Sequence, residues 1–330
     1  MKLRGAATAA IALCLTLTAG PAARAEPATM PELLSIPCAG SMLPIPVDWH
    51  LPVGEPKGLV WLQHGFARSN ANIAGLAAAY AEAGYLVFAP SLPFIDLAGC
   101  TLQNLTGNTA FLGAIAALLA SADRPNNPLA QSFSAATGSA GRPGLRLPAQ
   151  YVFVGHSAGA EAVEYVAHRL HTDAPDGWAR LRGLVLLDPV KSFVGDNTDR
   201  ALADLDTTPL PILTISGPPS LCNAFGGGTG AVQSTLHRAY VGIRINTGVH
   251  TDAEGPDVDT MGRLLCGTPE SVNITTLRSL AIGWTGDFLA GNRTADYYPP
   301  TAPAADARTA ENAVARVAAA PDAQILSGAS

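Results

Sequence analysis

The chain has 330 residues, 48% hydrophobic and 14% charged, with a formal net charge of −6. That is enough apolar length for one large α/β domain or two small ones, each with a sizeable core. An acidic chain with no Lys/Arg run is poorly suited to binding nucleic acid or anionic lipid.

Residues 1–25 read as a secretory signal peptide. Lys2 and Arg4 form a basic n-region, Ala6 to Ala19 an apolar h-region, and Ala23-Arg24-Ala25 an A-x-A cleavage site. The apolar run is too short for a transmembrane helix. Cleavage after Ala25 predicts a secreted or periplasmic protein. It removes Lys2, Arg4 and Arg24 and takes the net charge to −9. No other segment is apolar for long enough to span a bilayer. Cys14 is lost with the signal, which leaves Cys38, Cys100, Cys222 and Cys266. An even count in an exported chain favours two disulfides. Of the three possible pairings, the sequence-local one is Cys38–Cys100 and Cys222–Cys266. No C-x-x-C spacing supports a zinc site.

After the signal, Glu26 to Pro56 is a Pro-rich lead-in. Its short apolar bits, such as Leu43 to Val47, suggest early antiparallel strands. Gly58 to Gln63 (GLVWLQ) is a continuous apolar run, which predicts a strand covered on both faces. Asn70 to Ala83 predicts a helix stopped by Gly84, and Tyr85 to Ala89 the next strand. Thr106 to Ala120 predicts a helix, and Pro125 to Pro148, rich in Pro, Gly and Ser, a surface loop. Tyr151 to Val154, Leu184 to Leu187, Ile212 to Ser216 and Tyr240 to Ile245 read as strands. Ala158 to Leu170 and Thr276 to Leu289 read as helices. Alternating apolar strands and helices imply an α/β fold: a mostly parallel central sheet with helices on both faces. Residues 26–297 are expected to form one catalytic domain. Residues 298–330 are expected to form an Ala/Pro-rich tail, with a helix near Ala310 to Ala319.

The chemistry is marked at Gly155-His156-Ser157-Ala158-Gly159. This is a G-x-S-x-G sequence between a predicted strand and a predicted helix. Such a turn strains the serine backbone and lifts Oγ out of the sheet. The helix behind it adds positive partial charge where an oxyanion would form. A serine hydroxyl needs a base, and an imidazole base needs an orienting group. In this arrangement the chain order is Ser, acid, His. Asp188 directly follows the predicted strand in GLVLLDPV, 31 residues after Ser157. Asp196, Asp204 and Asp206 in the loop beyond it are rivals. Only His237 and His250 follow Asp188. His237 falls in a predicted helix and His250 in the loop NTGVHTDAEG, so His250 is the expected base. Two N–H donors are expected to bind the oxyanion, from Ala158 and from Phe66 in Gln63-His64-Gly65-Phe66.

Asp252, Glu254, Asp257 and Asp259 crowd the loop beyond His250. Their spacing fits no EF-hand, so an acidic solvated loop is expected, with no metal and no cofactor. Asn104-Leu105-Thr106, Asn273-Ile274-Thr275 and Asn292-Arg293-Thr294 are glycosylation sequons.

From Gly58 to Leu289 the chain resembles the α/β-hydrolase superfamily. VWLQHGFARSNANIAGLAAAYAEAGYLVFAPSLPF, and GHSAG followed by LVLLDPV, are similar to the chlorophyllase and platelet-activating-factor acetylhydrolase-like branch, which includes secreted polyester hydrolases. The resemblance implies an acid at Asp188 and a base in a loop like that of His250. The elbow departs from chlorophyllases at Ala158, where they usually carry arginine, so the hydrolase chemistry carries over and the chlorophyll substrate does not. The expected activity is carboxylic ester hydrolysis by a secreted monomer, on a small-molecule or polymeric ester. Pro189 to Leu210 spans 22 residues, longer than the usual loop of about 2–6 but short for a lid domain. An open cleft is therefore expected. The alternatives are an acyltransferase or amidase with the same triad, and a catalytically silent binding protein on the same fold.

Overall fold

The computed structural model describes residues 26–299 and 322–330. The expected signal peptide and the helix expected near Ala310 to Ala319 lie outside the described residues.

The lead-in folds as an antiparallel hairpin of β1 (Ala28–Cys38) and β2 (Ser41–Leu51). Early antiparallel strands were expected here, and the pair is longer than the short apolar bits suggested. Its two-residue turn, Ala39-Gly40, has φ of +49° and +79°. Both are positive, as in a type I′ turn, whose twist matches that of the flanking strands. The chain continues through β3 (Leu59–Gln63), α1 (Ala74–Glu82), β4 (Leu86–Pro90), α2 (Thr109–Ala120), α3 (Pro128–Ser139) and β5 (Tyr151–His156). It then forms α4 (Ala158–Asp173), the single-turn α5 (Pro175–Trp178), β6 (Leu181–Leu187), α6 (Asn197–Asp206) and β7 (Ile212–Ser216). The last elements are α7 (Gly227–Thr235), β8 (Gly242–Ile245), α8 (Thr260–Cys266), α9 (Ser271–Ala290) and β9 (Ala323–Leu326).

All nine strands join one sheet in the order β1-β2-β4-β3-β5-β6-β7-β8-β9. The pairings from β4 through β3 and β5 to β8 are parallel; β1–β2, β2–β4 and β8–β9 are antiparallel. The chain leaves β3 in one direction to make β4, and returns on the other side of β3 to make β5. The carboxyl ends of β3 and β5 therefore flank the switch point, where an open α/β sheet has its crevice.

The apolar runs read as doubly covered strands are buried on both faces. In β3, Leu59 and Trp61 join one core while Val60 and Leu62 join the other. Phe153 and Val154 of β5 divide the same way. The first core also takes side chains of α2, α3, α4 and α6, and the second takes those of α1 and α9. No inserted lid domain occurs among the described residues. No helix there is long and apolar enough to cross a membrane.

Three expectations are corrected. The segment read as a loop over Pro125 to Pro148 contains α3. Asn127 caps it, its side chain accepting the Leu129 N–H at 2.7 Å, and Pro128 occupies the first helical turn. Leu129, Phe133 and Ala136 then bury one face. Asn-Pro is a helix-start signal that the Gly/Ser-rich composition masked. The stretch after Asp188 is partly helical, so Asp204 and Asp206 lie in α6 and Asp196 just before it. His237 follows the end of α7 rather than lying within a helix. In addition, residues 323–326 of the tail form β9 and close the sheet edge against β8.

Disulfides join Cys38 to Cys100 and Cys222 to Cys266, with Cα atoms 5.9 and 5.5 Å apart. They span 62 and 44 residues. In the chain-entropy model, closing loops of that length stabilises the fold by about 4 kcal/mol each.

Glu164 of α4 is 1% exposed and neither carboxylate oxygen has a hydrogen-bond partner. Burial, and then the nearby Glu161, push its pKa well above the ordinary 4.5. The folded state thus holds this proton more tightly than the unfolded chain. Its stabilising effect is full below pH 4.5 and is lost as pH rises toward the folded value. Glu164→Gln removes that loss. Calorimetric unfolding of variant and wild type should nearly coincide at acid pH, with the variant more stable at pH 8 by about 1 kcal/mol or more. Parallel stability curves would contradict this assignment.

Candidate active site

The turn from β5 into α4 holds Ser157 at φ +57°, ψ −126°. This is a strained conformation for a residue with a side chain. Its neighbours enforce it. The Ser157 N–H donates to Leu187 O at 2.9 Å, and Ser157 O accepts from Val190 N–H at 3.1 Å. The glycines on either side permit the crossing of strand and helix. A Cβ on Gly155 would lie 2.4 Å from Gly159 O, and one on Gly159 would lie 2.4 Å from His64 O.

Asp188 stands at the carboxyl end of β6 with φ +43°, its N–H donating to Ile215 O at 2.7 Å. His250 opens a short 3-10 turn after β8. Sheet order brings these three distant residues together. Asp188 Oδ2 lies 2.6 Å from His250 Nδ1, and His250 Nε2 lies 2.9 Å from Ser157 Oγ. An ionised carboxylate can only accept, so Nδ1 carries the proton and Nε2 faces the serine hydroxyl as acceptor. All three are nearly buried.

The acid is held ionised. Burial pushes the Asp188 pKa up, but the His250 hydrogen bond and charge, the Gly217 N–H and the Asn223 amide together bring it below the ordinary range. Gly217 N–H donates to Oδ1 at 3.0 Å and Asn223 Nδ2 at 3.2 Å. Two other buried histidines stay neutral. His156 is lowered to about 3, by burial and then by His250, and His64 to about 4 by burial. Neutral His156 donates from Nε2 to the His250 carbonyl at 2.8 Å, tying the β5–α4 turn to the backbone of His250. His64 donates from Nδ1 to Gly65 O at 2.8 Å and steadies the turn before Phe66.

The rival residues have other partners. Asp196 bonds Arg200, Asp204 bonds His168 and His171, and Asp206 bonds His237. None of these is joined to Ser157. The acidic loop beyond His250 is solvated only in part: Asp257 and Asp259 are exposed, whereas Asp252 and Glu254 are buried. Asp252 and Glu254 are each 4% exposed. Asp252 accepts the Val249 N–H at 2.8 Å, and burial pushes its pKa up to about 7. Arg68 binds Glu254 at 2.9 Å and Asp259 at 2.8 Å, fastening this loop to the one after β3. Among the described residues no group of three or more His, Cys, Asp or Glu is disposed to hold a metal ion. Of the sequons, Asn104 and Asn273 are buried and hydrogen-bonded, while Asn292 is exposed.

Phe66 directly follows Gly65, which packs on Ser157, and Ala158 is the first residue of α4. Asn223, His156 and Arg68 were not identified as contributors from the sequence. Their contacts run to Asp188, His250 and Glu254, over 35, 94 and 186 residues. No local spacing marks such contacts.

Compared with protein-family models and with curated proteins, the chain matches none. Solved structures do match. A fungal esterase from Rhizomucor miehei is 13% identical, with 81% of this chain and 86% of that one covered at a TM-score of 0.52. A dienelactone hydrolase from Anabaena variabilis is 16% identical, with 78% and 96% covered at 0.47. An esterase from the archaeon Pyrobaculum calidifontis is 15% identical, with 79% and 83% covered at 0.46. At such an identity the likeness to the Rhizomucor miehei esterase concerns the fold alone, the α/β-hydrolase fold.

Gly65 supplies a direct test of this packing. A Cβ there would lie 2.6 Å from Ser157 Cβ and 3.1 Å from Oγ. Gly65→Ala should displace the serine side chain and lower turnover by about 10²-fold, with circular dichroism unchanged. Wild-type turnover in a folded variant would show that the serine does not need this position.

Proposed function

We propose that the protein is a secreted serine hydrolase that cleaves carboxylic esters through an acyl-enzyme. The observation that carries this reading is the unbroken hydrogen-bonded line Asp188–His250–Ser157, at 2.6 and 2.9 Å. Ser157 Oγ attacks the ester carbonyl while His250 Nε2 takes its proton. The Ala158 and Phe66 N–H groups bind the oxyanion, and Asp188 stabilises the imidazolium. The proton passes from Nε2 to the leaving alcohol. Water, activated by the same nitrogen, then releases the acid.

In this reading the catalytic unit is residues 26–297 completed by the β9 segment, exported after cleavage behind Ala25 and active as a monomer. The two disulfides and the signal-like N-terminus support export. The sequence resemblance to the chlorophyllase and platelet-activating-factor acetylhydrolase-like branch supports an ester as substrate. The substrate is uncharged and approaches an open cleft. Exposed Phe66, Ile95, Phe193 and Phe225 lie on the segments that follow the carboxyl ends of β3, β4, β6 and β7, the edge of the sheet that carries Ser157. Arg68 and Lys191 on these loops are each paired with carboxylates. This surface suits short soluble esters or a polymer chain lying across the cleft.

Hydrolysis of p-nitrophenyl esters across acyl lengths tests the reading. Ser157→Ala and His250→Ala should each lower kcat by about 10⁶-fold. A folded wild type with intact disulfides and no turnover on any acyl length would overturn it.

A further inference from the structure

Asp188 and His250 belong to separate loops, so their 2.6 Å contact depends on how those loops are held together. On the acid's side stands Asn223, 1% exposed, with its amide fully used. Nδ2 donates to Asp188 Oδ1 at 3.2 Å and to Pro218 O at 2.8 Å. Oδ1 accepts from Ser220 N–H at 2.7 Å and Gly226 N–H at 2.9 Å. An amide satisfied at every position has one orientation. With the Gly217 N–H it occupies Oδ1 and leaves Oδ2 for the base. The next two residues, Ala224 and Phe225, have φ of +49° and +56°. Non-glycine residues persist there only where their surroundings over-determine them.

On the base's side stands Gly267. Its carbonyl accepts from Thr251 Oγ1 at 2.7 Å, and a Cβ on it would lie 2.6 Å from Val249 Cγ1. Val249 and Thr251 flank His250. Asn223 follows Cys222 and Gly267 follows Cys266, and these cysteines form a disulfide. The cross-link therefore joins the segment that holds the acid to the segment that holds the base. Cys38–Cys100 ties the β1–β2 hairpin to the loop after β4 and adjoins neither segment.

We propose that Asn223 is a positioning residue for Asp188, and that Cys222–Cys266 is the brace that keeps acid and base in register. The proposal rests on the catalytic reading of Ser157, Asp188 and His250.

The test uses the full chain. Asn223→Asp, Cys222→Ala/Cys266→Ala and Cys38→Ala/Cys100→Ala are compared with wild type. The first two should lower kcat by about 10- to 10²-fold, with KM within about twofold. Asn223→Asp should also move the acid limb of kcat/KM to higher pH, because a carboxylate facing Asp188 favours the charged imidazole. The other ionisable groups around the pair, His156, Asp252, Glu254 and Arg68, are the same in both proteins. Cys38→Ala/Cys100→Ala should lower Tm and leave the acid limb where it is. A readout independent of turnover is the proton NMR signal of His250 Nδ1–H, expected far downfield in wild type and shifted or broadened in the first two variants. Folded Asn223→Asp and Cys222→Ala/Cys266→Ala proteins with wild-type kcat, acid limb and Nδ1–H signal would overturn the brace. If wild type itself shows no turnover, the catalytic reading falls, and the Nδ1–H signal still decides the brace: unchanged in the variants it refutes it, altered it supports it.

Discussion

The backbone at Ser157 is the constraint on which the site depends. Its φ of +57° and ψ of −126° would relax in a free peptide. It persists because β5 is buried between β3 and β6 and continues into α4 within a single turn. Gly155 and Gly159 let strand, helix and the loop after β3 approach to distances that no side chain would allow. The strained turn presents Oγ at the crevice that the strand order creates. Every other element of the site is arranged around that atom.

Much of what surrounds the serine is polar and buried, and its protonation follows from geometry. Asp188 stays charged because three donors converge on its two oxygens. His64 and His156 stay neutral because burial disfavours a second proton, and this outweighs the backbone carbonyls that each binds. Neutral histidines serve here as directed donors that fix backbone, at the Gly65 turn and at His250. A protonated His156 would set a like charge beside a protonated His250, with ring centroids 4.9 Å apart. Its depressed pKa removes that repulsion.

The sequence carried the features governed by local rules. Continuous apolar runs gave the parallel strands. The G-x-S-x-G turn gave the serine, and chain order with strand-end position gave Asp188 and His250, which the structure brings within hydrogen-bond distance of one another. The sequence-local cysteine pairing is the one observed. Features decided by distant partners were not legible. The strand at Ala323–Leu326 exists because β8 offers it an edge. Asp252 and Glu254 read as solvated until Arg68 and the Val249 backbone are seen beside them. Asn223 has no local signature at all, since its role comes from a carboxylate 35 residues away. Helix α3 is a different case. Its Asn-Pro start was present in the sequence and was outweighed by composition.

The central claim is that Ser157 is a nucleophile made reactive by His250. Intact-protein mass spectrometry after exposure to a fluorophosphonate, with peptide mapping, tests it most directly. One adduct on the peptide containing Ser157 in wild type, greatly slowed in His250→Ala, is the predicted result. No adduct on folded wild type, or equally fast labelling without the imidazole, would contradict it.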